Sequence, residues 1–281
     1  VVGGRARPAA VRGVFYSADP DALRAQVEWC FKHPVGPGRL PAPWGTGRVM
    51  ALVVPHAGLA YSGPVAAHAY LRLAGARRPG VVVVIGPDHN GAGPPSALSP
   101  EEHWQGPLGD VTTYHPVKDA LQQGGIPMDA RGHRREHCIE VQLPFLQYMG
   151  YDGPVVPIVM ADQDAATVEH LTGALAAVLA GQDAVLVAST DLSHYLPHER
   201  AVETDRIVLE ALASGDGGRL LREVRQGGIT MCGVGPAAAV LDAARRLGSV
   251  RVEILRYSTS GEVSGERGAV VGYVAAAAEA V

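Results

Sequence analysis

Apolar residues fall along this chain in two alternating patterns. Val49–Val54, Val81–Ile85, Val155–Val159, Ala184–Ala188, Val252–Tyr257 and Ala269–Val274 are short runs, apolar at nearly every position. Strands buried on both faces have this character, because neither face meets water. Between them, Asp21–Phe31, Gly63–Leu73, Glu136–Gln147, Ala165–Leu179, Pro197–Ala213 and Gly235–Leu247 repeat apolar positions at helical spacing. Buried strands alternating with helices predict an α/β/α sandwich, a sheet covered by helices on both faces. The pattern sets neither strand order nor strand direction.

Composition sharpens this picture. The 35 glycines and 21 prolines suit a fold with many tight strand-to-helix turns. They cluster at His33–Gly47 and Gly91–Pro100, expected to be surface loops and not linkers, because the same alternation continues on either side. One domain over residues 1–281 is therefore expected, a length within reach of a single large α/β core. No apolar run reaches the roughly 20 residues of a membrane span, and the alanine-rich stretch Ala275–Val281 is short. The first residues show no charged region followed by an apolar core, so no secretory leader is expected. Cys30, Cys138 and Cys232 are scattered and odd in number. A reducing, cytoplasmic setting is expected in place of a disulfide framework. Lys and Arg number 24 against 28 Asp and Glu, a net charge of −4. The basic field that draws proteins onto phosphates is missing, so nucleic acid is not an expected partner, and neither is a membrane.

Chemistry-bearing residues collect where three predicted strands end. Val49–Val54 runs into Pro55-His56-Ala57-Gly58, Val81–Ile85 into Gly86-Pro87-Asp88-His89, and Ala184–Ala188 into Ser189-Thr190-Asp191-Leu192-Ser193-His194. Open α/β sheets bind ligands in the crevice beyond the carboxyl ends of their strands. A single histidine there is usually a hydrogen-bonded structural residue; several at equivalent ends point to a site. Two imidazoles need a third protein ligand to hold iron, zinc or copper well. Cys232 in Thr230-Met231-Cys232-Gly233 is the candidate, since the helix expected from Pro236 would favour its thiolate. It reads equally as a small buried hydrophobe.

Asp191 and His194 share one short turn, so the acid is expected to fix the imidazole tautomer for proton transfer. Asp191 and Ser193 also fit a cap for the following helix. Glu136 and Glu140 open a predicted helix whose apolar face is Ile139, Val141, Leu143 and Phe145, and acids suit a helix N-terminus. His137 does not suit that position and is a site candidate. Arg134 and Arg135 read as surface residues, and Cys138 as a weaker alternative ligand. No glycine-rich dinucleotide fingerprint, Walker lysine loop, Gly-x-Ser-x-Gly elbow or His-Glu-x-x-His is found, so nucleotide and nicotinamide cofactors are not indicated.

In this order, several blocks resemble the MEMO family, itself similar in fold to the class III extradiol ring-cleavage dioxygenases. They run from Arg12-Gly13-Val14-Phe15-Tyr16 through Pro55-His56-Ala57-Gly58, Tyr61-Ser62-Gly63, Gly86-Pro87-Asp88-His89 and Pro107-Leu108-Gly109. They continue with Glu136-His137-Cys138-Ile139-Glu140-Val141-Gln142-Leu143-Pro144-Phe145, Asp191-Leu192-Ser193-His194-Tyr195, Cys232-Gly233-Val234-Gly235-Pro236 and Tyr257-Ser258-Thr259-Ser260-Gly261. The resemblance covers nearly the whole chain. It implies a central mixed sheet, and metal ligands at His56, His89 and Cys232 with Fe(II) favoured over zinc or copper. It also implies a pocket shared by Asp191, His194, Tyr61 and His137. A redox enzyme acting on a small organic, aromatic or phenolic substrate is the implied activity. Cys232 stands where the ring-cleaving enzymes have a glutamate, which puts ring cleavage in doubt. Asp88 replaces the usual serine and is expected to add negative charge near the metal. A non-catalytic metal- or peptide-binding protein working with radical-SAM and AMMECR1-like proteins is the alternative, and zinc-dependent hydrolysis a weaker one.

Overall fold

A computed structural model describes residues 5–281. Its elements follow the alternation of the apolar pattern. Strand β1 (Ala6–Arg7) and helix α1 (Pro20–Lys32) precede β2 (Val49–Val54), α2 (Leu59–Ala74) and β3 (Val81–Pro87). Three short strands, β4 (Ser96–Leu98), β5 (His103–Trp104) and β6 (Val111–Thr112), lead to α3 (His115–Gln123) and α4 (Leu143–Tyr148). Then come β7 (Val155–Met160), α5 (Ala165–Leu179), β8 (Ala184–Ser189), β9 (His194–Leu196), α6 (His198–Ala213) and α7 (Gly217–Gln226). Helix α8 (Val234–Leu247), β10 (Val250–Thr259), α9 (Ser260–Ser264) and β11 (Val270–Ala280) complete the chain.

The main sheet runs β10-β11-β2-β8-β3-β7-β4, with β9 paired to β11. Its centre, β2-β8-β3-β7, is parallel, while β11, β10 and β4 are antiparallel to their neighbours. The sheet is thus mixed. Successive side chains of a strand point to opposite faces, and both faces here are packed. Val82 and Val84 of β3 join a core with Leu23, Phe31, Tyr70 and Phe145 of α1, α2 and α4. Val83 and Ile85 join the opposite core with Leu175, Val208, Leu220 and Val240 of α5 to α8. This is why β2 and β3 carry apolar residues without alternation.

Helix starts follow local chemistry. Asp19, Asp164 and Asp216 accept backbone N–H bonds at the first turns of α1, α5 and α7, satisfying donors that a helix leaves open.

Four expectations are corrected. Glu136–Gln147 is not one helix: a turn and a short 3-10 segment at Glu140–Gln142 precede α4. Glu136 and Glu140 are 1% and 2% exposed, so they serve distant partners and not the N-terminus of a helix, and Pro144 instead suits the first turn of α4. The strand expected at Ala269–Val274 runs on to Ala280 as β11, and Ala275, Ala276, Ala277 and Ala278 lie buried in the strand between β10 and β2. Gly91–Pro100 contains β4, buried and paired with β7. Helices α3 and α7 were missed, being short and mostly polar, with buried Val117 and Leu121 in one and Leu220, Leu221 and Val224 in the other. Among the described residues, no helix is long and apolar enough to cross a membrane.

Candidate metal centre

Strand register brings the candidate residues together. Val54 of β2 pairs with Ser189 of β8, and Ile85 of β3 pairs with Ala188. The carboxyl ends of three parallel strands are therefore level. His56 leaves the sheet two residues past β2, and its N–H donates to Asp191 Oδ1 at 2.8 Å. His89 follows β3 by two residues, and its N–H donates to Glu136 Oε2 at 2.7 Å. Cys232 approaches from the segment before α8. Its N–H donates to the Asp191 carbonyl at 3.4 Å, and the N–H of Asp191 donates to Cys232 Sγ at 3.2 Å. Gly233 lets this segment lie against β8, because a Cβ there would fall 2.6 Å from the Thr190 side chain and 2.7 Å from the Ser189 carbonyl oxygen.

One donor atom from each of His56, His89 and Cys232 falls within 4.8 Å of the others. His56 Nε2 lies 3.2 Å from Cys232 Sγ. Metal–nitrogen bonds of about 2.0 Å and metal–sulfur bonds of about 2.3 Å put such donors roughly 3.5 Å apart in a tetrahedral site. The donor set and its spacing fit a transition metal. The remaining ring nitrogens are anchored, His89 Nδ1 on Glu136 Oε1 at 2.9 Å and His56 Nδ1 on Ser189 Oγ at 3.0 Å.

His137 joins the cluster. Its ring lies 4.7 Å from that of His89, 5.3 Å from His56 and 4.6 Å from Phe15. His89, Glu136 and His137 form a second group of potential ligands. Glu136 already receives the N–H groups of His89, His137 and Cys138, so it acts as an acceptor that organises the two imidazoles. Burial, reinforced by neighbouring imidazoles, pushes His56 down to about 3 and His137 down to about 4. Both are neutral at pH 7, the form that ligates metal. Burial would raise the Glu136 carboxyl, but the hydrogen bond and charge of His89 bring it down to about 2.

The same geometry revises several expectations. Burial, then the Asp191 charge, raises the Cys232 thiol above its ordinary range. Asp191 does not orient His194: His194 Nδ1 lies 2.8 Å from the Thr230 carbonyl, and its N–H donates to Thr230 Oγ1. Nor does Asp191 cap a helix, since β9 intervenes, and Ser193 donates its N–H to Asp205. The Asp88 carboxylate accepts the N–H groups of Asn90, Ala92 and Gly93, while its negative charge still acts on His89. Cys138 is fully buried, and its thiol donates to the Pro87 carbonyl at 3.2 Å. Glu140 pairs with Arg7 at 2.7 Å and accepts the Tyr16 hydroxyl at 2.6 Å. Tyr61, on the first turn of α2, is 49% exposed. Arg134 and Arg135 are exposed.

Residues 7–277 match the Memo-like protein family. A MEMO1 family protein of Methanothermobacter thermautotrophicus is 41% identical, with 95% of this chain and 98% of the relative covered. One from Methanopyrus kandleri is 43% identical over 96% of this chain and 97% of the relative. The chain belongs to the MEMO family. An uncharacterized protein from Escherichia coli, known by crystal structure, shares the fold with a TM-score of 0.55 at 16% identity. That match covers 82% of this chain and 99% of that one.

Sequence reading passed over Ser189, Gln142, Thr230 and Arg7, which hold the MEMO site residues in place. Ser189 ends β8 and Thr230 lies between α7 and α8, but nothing in the residue type marks either as a partner of an imidazole, least of all Thr230, which meets the His194 ring through its backbone carbonyl. Arg7 donates to the His133 and Glu136 carbonyls and lies 4.0 Å over the Trp104 ring. A buried arginine 129 residues before its partner leaves no local trace.

Proposed function

We propose that this MEMO family chain is a mononuclear metalloenzyme, holding ferrous iron through His56, His89 and Cys232 and acting oxidatively on a small organic molecule, aromatic or phenolic in class. The supporting observation is the convergence of three donor atoms within 4.8 Å from three separate segments, with the outer nitrogen of each imidazole anchored. Iron in this set would supply redox chemistry between substrate and dioxygen. The protein's own part is to position and to move protons. His194, held through Nδ1 by the Thr230 carbonyl, has Nε2 free to take a proton from a substrate hydroxyl. His137, neutral and packed on Phe15, and Tyr61 would steady the resulting anion. Asp191 fixes the His56 backbone and the Cys232 sulfur at once.

A second reading draws on exposed residues next to the site segments: Val14, which precedes the Phe15 packed on His137, Tyr61 on the first turn of α2, and Tyr195 beside His194 are 80%, 49% and 77% exposed. Apolar exposure of this kind suits a partner protein, and the alternative is a non-catalytic binding protein working with radical-SAM and AMMECR1-like proteins. Metal analysis of anaerobically purified protein separates the readings. Roughly one iron per chain, lost in both His56→Ala and Cys232→Ala, supports the enzyme and calls for a substrate screen with and without oxygen. Zinc in its place supports hydrolysis, since a Cys-His set also suits zinc. No uptake after reconstitution with ferrous iron sinks the metalloenzyme.

A further inference from the structure

The His56 ring rests on a hydroxyl whose other bonds are already committed, and that commitment fixes a proton. Ser189 Oγ lies 2.6 Å from the Cys138 carbonyl oxygen, 2.8 Å from Gln142 Nε2 and 3.0 Å from His56 Nδ1. A carbonyl oxygen only accepts, so the single hydroxyl proton goes to Cys138. The Gln142 amide is set independently, with Nε2 3.0 Å from the Pro55 carbonyl and Oε1 2.8 Å from the Tyr70 hydroxyl. Flipping it would press two oxygens together at Pro55, so Nε2 also donates to Ser189. The hydroxyl then has one lone pair left, and whatever faces it must donate. That group is His56 Nδ1. Ser189 is 0% exposed, so solvent does not compete for these bonds.

We propose that Ser189 is a positioning residue of the centre: its hydroxyl, oriented through Gln142 and Tyr70, holds His56 in the Nδ1–H form. Nε2 is thereby left with its lone pair toward Cys232 Sγ, 3.2 Å away. The purpose of this arrangement rests on the metal reading above, while its geometry rests on hydrogen-bond chemistry alone. Ligating histidines commonly have the other ring N–H held in this way, and loss of that partner weakens metal binding by about 10- to 100-fold. His89 is held instead by the Glu136 carboxylate, which also only accepts when ionised. Both imidazoles are thus fixed as Nδ1–H, one on a neutral oxygen and one on a charged oxygen.

Nitrogen-15 NMR of histidine-labelled, metal-free protein reads the tautomer directly, with His56→Gln identifying the resonances. The wild type is expected to show Nδ1–H at His56. Ser189→Ala is expected to gain Nε2–H and to lose about 10- to 100-fold in zinc affinity by competition titration. Ser189→Thr, which keeps the hydroxyl, should restore both. A serine with a merely structural role would leave the tautomer unchanged. Wild-type protein protonated at Nε2, or a Ser189→Ala variant that keeps Nδ1–H, overturns the proposal. The expected tautomers in a protein that takes up neither zinc nor ferrous iron would support the hydrogen-bond assignment and overturn the metal reading. The wild-type spectrum decides the assignment even if the alanine variant does not fold.

Discussion

The two ends of the parallel strands are built on opposite terms. At the carboxyl ends, His56, Ser189, Asp191, Glu136 and Gln142 are at most 5% exposed, and each has a hydrogen-bond partner. At the amino ends, Thr46, Arg48, Arg77, Gln182 and Asp183 line an open cavity of about 550 Å³. The Arg77–Asp183 pair there, 2.8 Å long, leaves its side chains 67% and 47% exposed. Water can replace any partner lost at the amino ends. It cannot do so at the carboxyl ends, where an unpaired polar group bears its full desolvation cost. The same sheet therefore carries one end that specifies positions closely and another that tolerates change.

The largest expected effect is at the proposed ligands. His89→Ala should reduce metal content from roughly one per chain to none, measured by elemental analysis, and retention of metal would contradict the site. Next is the ion pair that supports the site turn. Glu140→Ala strips Arg7 of a partner in a pair 2% exposed on both sides, and removing one member of a buried pair costs about 3–5 kcal/mol. Denaturant unfolding reads this loss, and a change below about 1 kcal/mol would mean that Arg7 is held mainly by Trp104 and the carbonyls.

Acid comes third. Burial pushes His133 down to about 3 from an ordinary 6.5, so the unfolded chain binds its proton first. Stability from this group is complete above pH 6.5 and is lost as pH falls toward 3, about 2 kcal/mol of it by pH 5. His133→Gln, which keeps a donor for the Ala97 carbonyl, should flatten that slope; an unchanged slope would assign it to other groups. The smallest effect belongs to the amino ends. Arg77→Ala should cost less than about 1 kcal/mol and fade further with salt. A loss as large as that of Glu140→Ala would erase the contrast between the two ends.

Local pattern carried a large part of the fold. Strand β2 and helix α5 have the bounds expected from their apolar positions, because a buried run or a 3.6-residue stripe is written in consecutive residues. Glu136–Gln147 failed for the converse reason. Its two acids suit a helix N-terminus by type, whereas Glu136 serves His89 across 47 residues and Glu140 serves Arg7 across 133. Cys138 was the weaker alternative to Cys232 as a ligand, and the packing separates them: the Cys232 segment lies against β8 with its sulfur 3.2 Å from His56 Nε2, while the Cys138 thiol turns to the Pro87 carbonyl. Tyr195 gave no signal of its left-handed backbone, φ 62°, beside His194.

What the sequence determined by itself is the inventory: which runs become buried strands, where helices cover them, and which donors emerge at strand ends. It also carried family membership, through motifs spread over the chain. Tertiary structure alone decided that β2, β8 and β3 lie side by side with level ends, and hence that His56, His89 and Cys232 face one another. It alone decided which nitrogen each imidazole turns outward. The reason is physical. Burial is a property of each residue and its near neighbours, while a hydrogen bond between groups far apart in the chain exists only once the strands between them have chosen their order.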